Sequence, residues 1–289
     1  MVLILGLCLA GAWRAWAGGA ASAPSDSWRP AWSSLRFEAS SFLANVSLDF
    51  EIQPGPPGAA SGGSGAVWLA IIRTRMDSTV LARKSSEIQA RFDPGTGSVA
   101  GYSKLALGPS PDRKIYEFSP EGAHRTRIEP LPGESRDRPE SWSAVRKSFH
   151  PFEARALGCQ LLSEPSVLVY EIVSGGLSAS SRAGGICVFS GKTLFRLDLQ
   201  NLGSRTLAVD YDIGSRASVQ RRTASVAAQC YRVVGRPIAG ENDEEDIDVG
   251  FCVDPALHLP VELTSGIGPL GTLSMRLARV VAPHAPASS

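Results

Sequence analysis

The sequence has almost no net charge and few histidines. Lysine and arginine number 29 against 28 aspartates and glutamates, so the formal net charge is +1 at pH 7. Proteins that bind nucleic acids or anionic membrane surfaces usually have a clear basic excess. The four histidines are far apart in the sequence, and no two of them have the spacing typical of metal ligands; they are His124, His150, His258 and His284. The composition therefore argues against a nucleic-acid partner, and we expect neither a metal nor a cofactor.

The sequence also lacks a catalytic motif. No nucleophile-elbow pattern surrounds a serine. Cys252 and His258 are close enough in sequence to suggest a thiol nucleophile, but a cysteine oxidised in a disulfide is the simpler interpretation for an exported protein. Residues 241–248 are acidic but lack the glycine and ligand spacing of a calcium loop, so they predict a solvated loop. We expect a protein that is not an enzyme.

Long apolar runs are missing after the first residues of the chain. Residues 2–12 are apolar, a length typical of the core of a signal peptide and shorter than the roughly 20 residues that span a bilayer. Ala15 and Ala17 are small residues at the positions that signal peptidase recognises; cleavage after Ala23 is a weaker option because Pro24 follows. We predict a signal peptide at residues 1–17, a flexible tether at 18–34 and a disordered tail at 282–289.

Cysteines are few, and their distribution indicates the compartment. Cys8 lies in the leader, whereas Cys159, Cys187, Cys230 and Cys252 lie in the body of the chain. An even number of cysteines in an exported chain predicts two structural disulfides. Four cysteines allow three connectivities. Cys230 and Cys252 lie on strands that could be neighbours, which would favour Cys230–Cys252 with Cys159–Cys187, but the spacing leaves the choice open.

Alternation of apolar and polar residues is the pattern that the sequence has in abundance. It predicts strands near residues 46–52, 67–72, 88–92, 99–107, 114–118, 195–199, 249–253, 257–263 and 273–277. Helical spacing occurs in residues 151–162, which begin with a proline. These patterns predict one domain over residues 35–281. Its fold class is all-β and mostly antiparallel, a curved sheet or incomplete β-barrel with one short helix.

Three finer predictions concern single segments. Pro260 lacks a backbone donor, so its strand should be an edge strand or should carry the proline where no ladder bond is needed. Met275 should belong to the core. Residues 130–147 are rich in charge and proline and predict a solvated, mobile loop rather than a recognition loop for a charged partner.

The end of the domain carries the most specific pattern, Leu259-Pro260-Val261-Glu262-Leu263 followed by Gly271-Thr272-Leu273. Related patterns occur in residues 37–50, in Pro151-Phe152-Glu153-Ala154, in Val188-Phe189-Ser190-Gly191 and in Cys230-Tyr231-Arg232-Val233. Together they resemble the family catalogued as domain of unknown function 3108, exported envelope proteins of Gram-negative bacteria. His150 and Ser190 stand where that family typically has aspartates. The resemblance implies a periplasmic protein without an established active site.

The same resemblance bears on the disulfides. Relatives that carry cysteines place them at positions corresponding to Cys187 and Cys230, which implies a Cys187–Cys230 bridge. Cys159 then remains for Cys252. We predict this pairing, with the cross-strand pairing as the alternative.

Three hypotheses for the function follow. The first is a periplasmic envelope protein that binds an apolar or amphipathic ligand, or a protein partner, on a curved sheet. The second is an envelope hydrolase acting on cell-wall or polysaccharide material. The third is a structural protein whose sheet edge pairs with another chain. A deep apolar cavity would favour the ligand-binding protein, and a cleft with clustered catalytic side chains would favour the hydrolase. An edge strand without a partner would favour the structural protein.

Overall fold

The computed structural model describes most of the predicted domain. The described residues are 32–40, 44–55, 67–78, 83–94, 97–153, 157–159, 161–164, 167, 170, 185–215, 218–240, 247–266 and 272–282. The predicted signal peptide, most of the tether and residues 283–289 of the tail lie outside them. Among the described residues, no helix has the length and apolar character needed to cross a membrane.

The described part of the chain forms one sheet of 15 strands. The strands are β1 (Ser34–Ser40), β2 (Ala44–Pro54), β3 (Trp68–Ser78), β4 (Lys84–Phe92), β5 (Val99–Leu107), β6 (Asp112–Ser119), β7 (Gly122–Glu129), β8 (Ala144–Pro151), β9 (Leu161–Ser163), β10 (Ile186–Ser190), β11 (Thr193–Gly214), β12 (Val219–Gly240), β13 (Asp248–Asp254), β14 (Leu259–Gly266) and β15 (Thr272–Val281). A short 3₁₀ helix spans Pro139–Ser141. The all-β prediction is confirmed.

The sheet is an antiparallel meander whose first and last strands are neighbours. Its order runs from β8 back to β1, then β15, then from β14 back to β9. The pairs β9–β10 and β11–β15 are parallel, and the other neighbours are antiparallel. Because β11 pairs with both β12 and β15, strands β11 to β15 form a closed ring.

Side-chain packing joins the two ends of the sheet. Phe189 on β10 is 1% exposed, and its ring lies 5.8 Å from that of Tyr116 on β6 and 5.5 Å from that of Phe152, which follows β8. In the sheet order, β8 is at one end and β10 is next to β9, which is at the other end. The sheet must therefore roll up to bring them together, as the curved-sheet prediction requires.

The predicted core residues are buried. Phe50, Ile52 and Phe92 are each less than 5% exposed, and Met275 is 7% exposed within the same core. Pro260 also fits its prediction, although β14 lies inside the sheet. On the β15 side, pairing begins only at Glu262, and on the β13 side a bulge separates the Pro260 pair from the Glu262 pair. The missing N–H therefore interrupts neither ladder.

The domain begins earlier than predicted. Trp32, assigned to the tether, is 1% exposed and its ring centroid lies 5.5 Å from that of Phe50. The backbone N–H of Ser33 donates to the Val281 carbonyl at 2.8 Å, and β1 already starts at Ser34. Serines around Trp32 gave this segment the composition of a linker, but the indole anchors it to the core.

The short helix predicted within residues 151–162 is absent from both ends of that range. Pro151 is the last residue of β8, and Leu161 is the first of β9. One helix-type bond remains, from the N–H of Leu157 to the carbonyl of Glu153 at 2.9 Å. Residues 154–156 and 160 lie outside the described residues. Phe152 packs against Phe189, so tertiary contacts outweigh the local helical spacing.

The two disulfides are Cys159–Cys187 and Cys230–Cys252. The pairing Cys187–Cys230 with Cys159–Cys252, which the family resemblance implied, is therefore wrong. Cys187 lies on β10 and Cys230 on β12, with β11 between them. Strands two apart in a sheet are separated by about 9–10 Å, whereas a disulfide needs Cα atoms within about 7 Å. Cys230 and Cys252 lie directly opposite each other on β12 and β13.

Candidate functional site

The interior between the two ends of the sheet is filled with aromatic rings. Tyr102 and Tyr116 stack at 4.4 Å, and Tyr116, Phe118 and Phe152 surround Phe189 at centroid distances between 5.5 and 5.9 Å. The hydroxyl of Tyr116 donates to the Gly191 carbonyl at 3.2 Å. These rings occupy the space that an apolar ligand would need at this point of the roll.

A polar groove of about 570 Å³ lies on the face of strands β1 to β5 that points away from this interior. Its charged side chains pair with one another: Arg36 bonds Asp49, and Arg73 bonds Glu51 and Glu87. Burial alone would raise the pKa of Glu87, but hydrogen bonds from Arg73 and Gln89 outweigh it and lower this pKa. Because these charges already neutralise one another in exposed ion pairs, the groove has little net charge with which to bind a charged ligand.

Few side chains that could bind a metal or act in catalysis lie close to one another among the described residues. Within its described part, no three histidine, cysteine, aspartate or glutamate side chains converge as metal ligands would. Cys252 is bridged to Cys230, so it carries no free thiol that His258 could activate. Ser148 Oγ lies 3.1 Å from His150 Nε2. His150 is half-buried against Phe189, but Ser148 is exposed on β8, whereas a catalytic serine lies in a cleft that limits the access of water.

Strand β8 lies at one end of the sheet, and most of its residues are exposed. Residues 145 to 149 are exposed on both faces of the strand, including Val145 at 53% and Phe149 at 45%. In the described part of the chain β8 pairs with β7 alone. A strand with one unpaired edge presents a row of backbone donors and acceptors to other chains.

A hydrogen-bonded loop positions the start of β8. The carboxylate of Glu134 accepts bonds from the N–H of Leu131 at 2.7 Å and the N–H of Ser143 at 3.1 Å, and it also accepts the Ser143 hydroxyl. Bonds from Ser143 and Leu131 lower the pKa of Glu134. Trp142 Nε1 donates to the Ser135 carbonyl at 2.9 Å. Most of the loop is exposed, as predicted, but Trp142 is buried, and the loop is shorter than predicted because residues 144–147 belong to β8.

A second exposed segment lies in the long strand β11. Leu202 is 60% exposed, and the register of β11 against β12 shifts between Asn201 and Gly203. Gly203 has a φ of 83°. A bulge at this place bends the edge and breaks its run of outward backbone groups, a common protection against pairing. The regular strand β8 is therefore the better candidate for an interaction surface.

Comparisons with known proteins identify no function. No family model and no curated protein matches the sequence, so the resemblance to domain of unknown function 3108 stays a prediction. One solved structure that is similar is a β-barrel-like protein of the domain of unknown function DUF1849 from Brucella abortus. It shares 8% identity with a TM-score of 0.45, over 89% of this chain and 100% of that one.

Proposed function

We propose that the protein is an exported, non-catalytic binding protein of the Gram-negative envelope that holds an extended segment of a partner protein along β8. The observation that carries this proposal is the exposed β8 edge. Strand addition to a free edge supplies a ladder of main-chain bonds to the partner. The packed rings at Phe189 favour this function over an apolar ligand inside the roll. The resemblance of residues 188–191 and 259–273 to exported envelope proteins supports the periplasm as the location.

The two disulfides indicate an oxidising compartment. We therefore expect the protein, expressed in a Gram-negative host, to be found in the periplasm with its first residue near Gly18. Cell fractionation and N-terminal sequencing test this. A cytosolic chain that retains Met1 would contradict the export proposal.

Photo-crosslinking in intact cells tests the binding function. A photoreactive residue in place of Phe149 should give a discrete adduct with a partner protein, because this side chain projects at the β8 edge. The same residue in place of Val219, which is 48% exposed on β12, is a control at a similarly exposed position outside β8.

The edge itself is tested by combining the photoreactive residue with Lys147→Pro. This substitution removes an N–H that points away from β7, so the fold should be retained while one bond to the partner is lost. We expect the adduct at position 149 to disappear. An adduct that survives Lys147→Pro, or one equally strong at position 219, would refute binding through β8.

A further inference from the structure

The register of β8 shows which backbone groups point outward. The N–H of Phe152 donates to the Glu121 carbonyl at 2.8 Å, and the next residues, Pro151 and Gly122, are opposite each other in the ladder. Glu121 and Phe152 are thus a hydrogen-bonded pair. Such pairs alternate with non-bonded pairs along antiparallel strands. Every second residue back from Phe152 therefore bonds β7, and the amide groups of Val145, Lys147 and Phe149 point to the open edge.

The side chains of these three residues share the outer face of the sheet. Phe149 stands beside His124 of β7, with ring centroids 4.6 Å apart. On the opposite face, His150 contacts Phe189 in the interior. Because side chains alternate along a strand, Val145 and Lys147 lie on the same outer face as Phe149. An added strand would meet an apolar, a cationic and an apolar side chain in turn.

No described residue balances the charge of Lys147. It lies opposite Thr126 in the ladder and has no ion-pair partner among the described residues. Its neighbour Arg146, on the other face, lies 3.9 Å from Glu129. Opposite charges that face each other across strands stabilise a pair by about 0.2–1 kcal/mol, and like charges destabilise it. Lys147 therefore favours an acidic residue at the facing position.

The same charge disfavours a second copy of this chain. Two β8 strands that pair antiparallel with the greatest overlap of outward groups would place Lys147 opposite Lys147 and Val145 opposite Phe149. The facing ammonium groups would repel each other. Lysine on an edge strand is a known protection against self-association, and it leaves pairing with an acidic strand open.

We infer that β8 binds an extended partner segment in which an acidic residue is flanked, two positions away on each side, by apolar residues. The apolar residues pack on Val145 and Phe149, and the carboxylate faces Lys147. This inference rests on the proposed binding function and specifies its partner. The pattern has the same form in both chain directions, so it holds for parallel and antiparallel addition.

A peptide titration of the full protein tests the pattern. The probe is the blocked peptide Thr-Val-Thr-Glu-Thr-Val-Thr, and binding is followed by the amide NMR shifts of Val145, Lys147 and Phe149. We expect these shifts to move on binding. Replacing the glutamate of the peptide by glutamine should weaken binding about threefold, and replacing it by lysine about tenfold, as expected for loss and reversal of a cross-strand charge pair.

Exchanging the charges of Lys147 and of the peptide residue that faces it tests whether this charge pair determines binding, as opposed to a general disturbance of the strand. Lys147→Glu should bind the lysine peptide about as well as the original protein binds the glutamate peptide, and Lys147→Pro should bind neither. Equal binding of all three peptides would refute the acidic pattern but leave the edge function intact. Absence of peptide binding alongside a photo-adduct at position 149 would also refute the pattern alone. A dimer that forms with concentration and is abolished by Lys147→Pro would show that the occupant is a second copy.

Discussion

Replacing Phe189 by alanine is expected to lower the free energy of unfolding by about 3–5 kcal/mol, the usual cost of removing a buried phenylalanine. Phe189 is the residue at which the two ends of the sheet meet. Its ring contacts those of Tyr116, Phe118, His150 and Phe152. The cavity left behind is bordered by strands from both ends of the sheet, so it cannot collapse by the shift of one side chain. Urea unfolding followed by tryptophan fluorescence measures the loss.

Phe149→Ala is the matched control for Phe189→Ala. It removes the same side chain from a position that is 45% exposed, and we expect it to cost less than about 1 kcal/mol. Similar losses for the two variants would contradict the conclusion that packing at Phe189 closes the roll.

Removing either disulfide is expected to lower stability by about 3–4 kcal/mol. The bridges close loops of similar length, with sequence separations of 28 and 22 residues, so each restricts the unfolded chain to a similar degree. The variants are Cys159→Ala with Cys187→Ala, and Cys230→Ala with Cys252→Ala. Non-reducing peptide mapping of the unmodified protein should recover the peptides of Cys159 and Cys187 joined to each other.

The two disulfide variants should differ in local stability. Cys230 and Cys252 are held by the β12–β13 ladder as well, whereas Cys159 precedes the three-residue edge strand β9. Limited proteolysis of the Cys159→Ala, Cys187→Ala variant should therefore cut near β9 before the domain unfolds. Recovery of a peptide joining Cys187 to Cys230 in the mapping experiment would contradict the pairing and this difference together.

Strand positions were predictable because burial imposes period-two alternation on the sequence. Val99–Leu107 was predicted with its exact bounds, and the alternation of Leu273, Met275 and Leu277 correctly indicated the last strand. The contact of the two ends of the sheet at Phe189 was not predictable, because alternation identifies each strand by itself and does not show which strands pack together. The disulfides show the same limit: the choice among pairings depends on which strands are neighbours.

Strand β8 was missed because its composition is that of a loop. Arg146 and Lys147 follow a segment rich in proline and charge, and a strand exposed on both faces has no buried side to enforce alternation. A weak signal was present in Val145, Lys147 and Phe149, which alternate with Arg146 and Ser148. Without knowing that this segment pairs with β7, this signal could not be distinguished from the pattern of a solvated loop.

The position of β15 sets the order in which the fold can be completed. This strand pairs with β1 at one edge, and with β14 and then β11 at the other. Until β15 has been synthesised, β1 can pair only with β2 and β14 only with β13, and the ring of β11 to β15 stays open. Contacts between residues as distant in sequence as Leu35 and Val280 form slowly, because a long chain must first be brought together. We therefore expect the hairpins of consecutive strands to form first, and the pairing of β1 with β15 and the closure of the ring of β11 to β15 to be the steps that complete the fold.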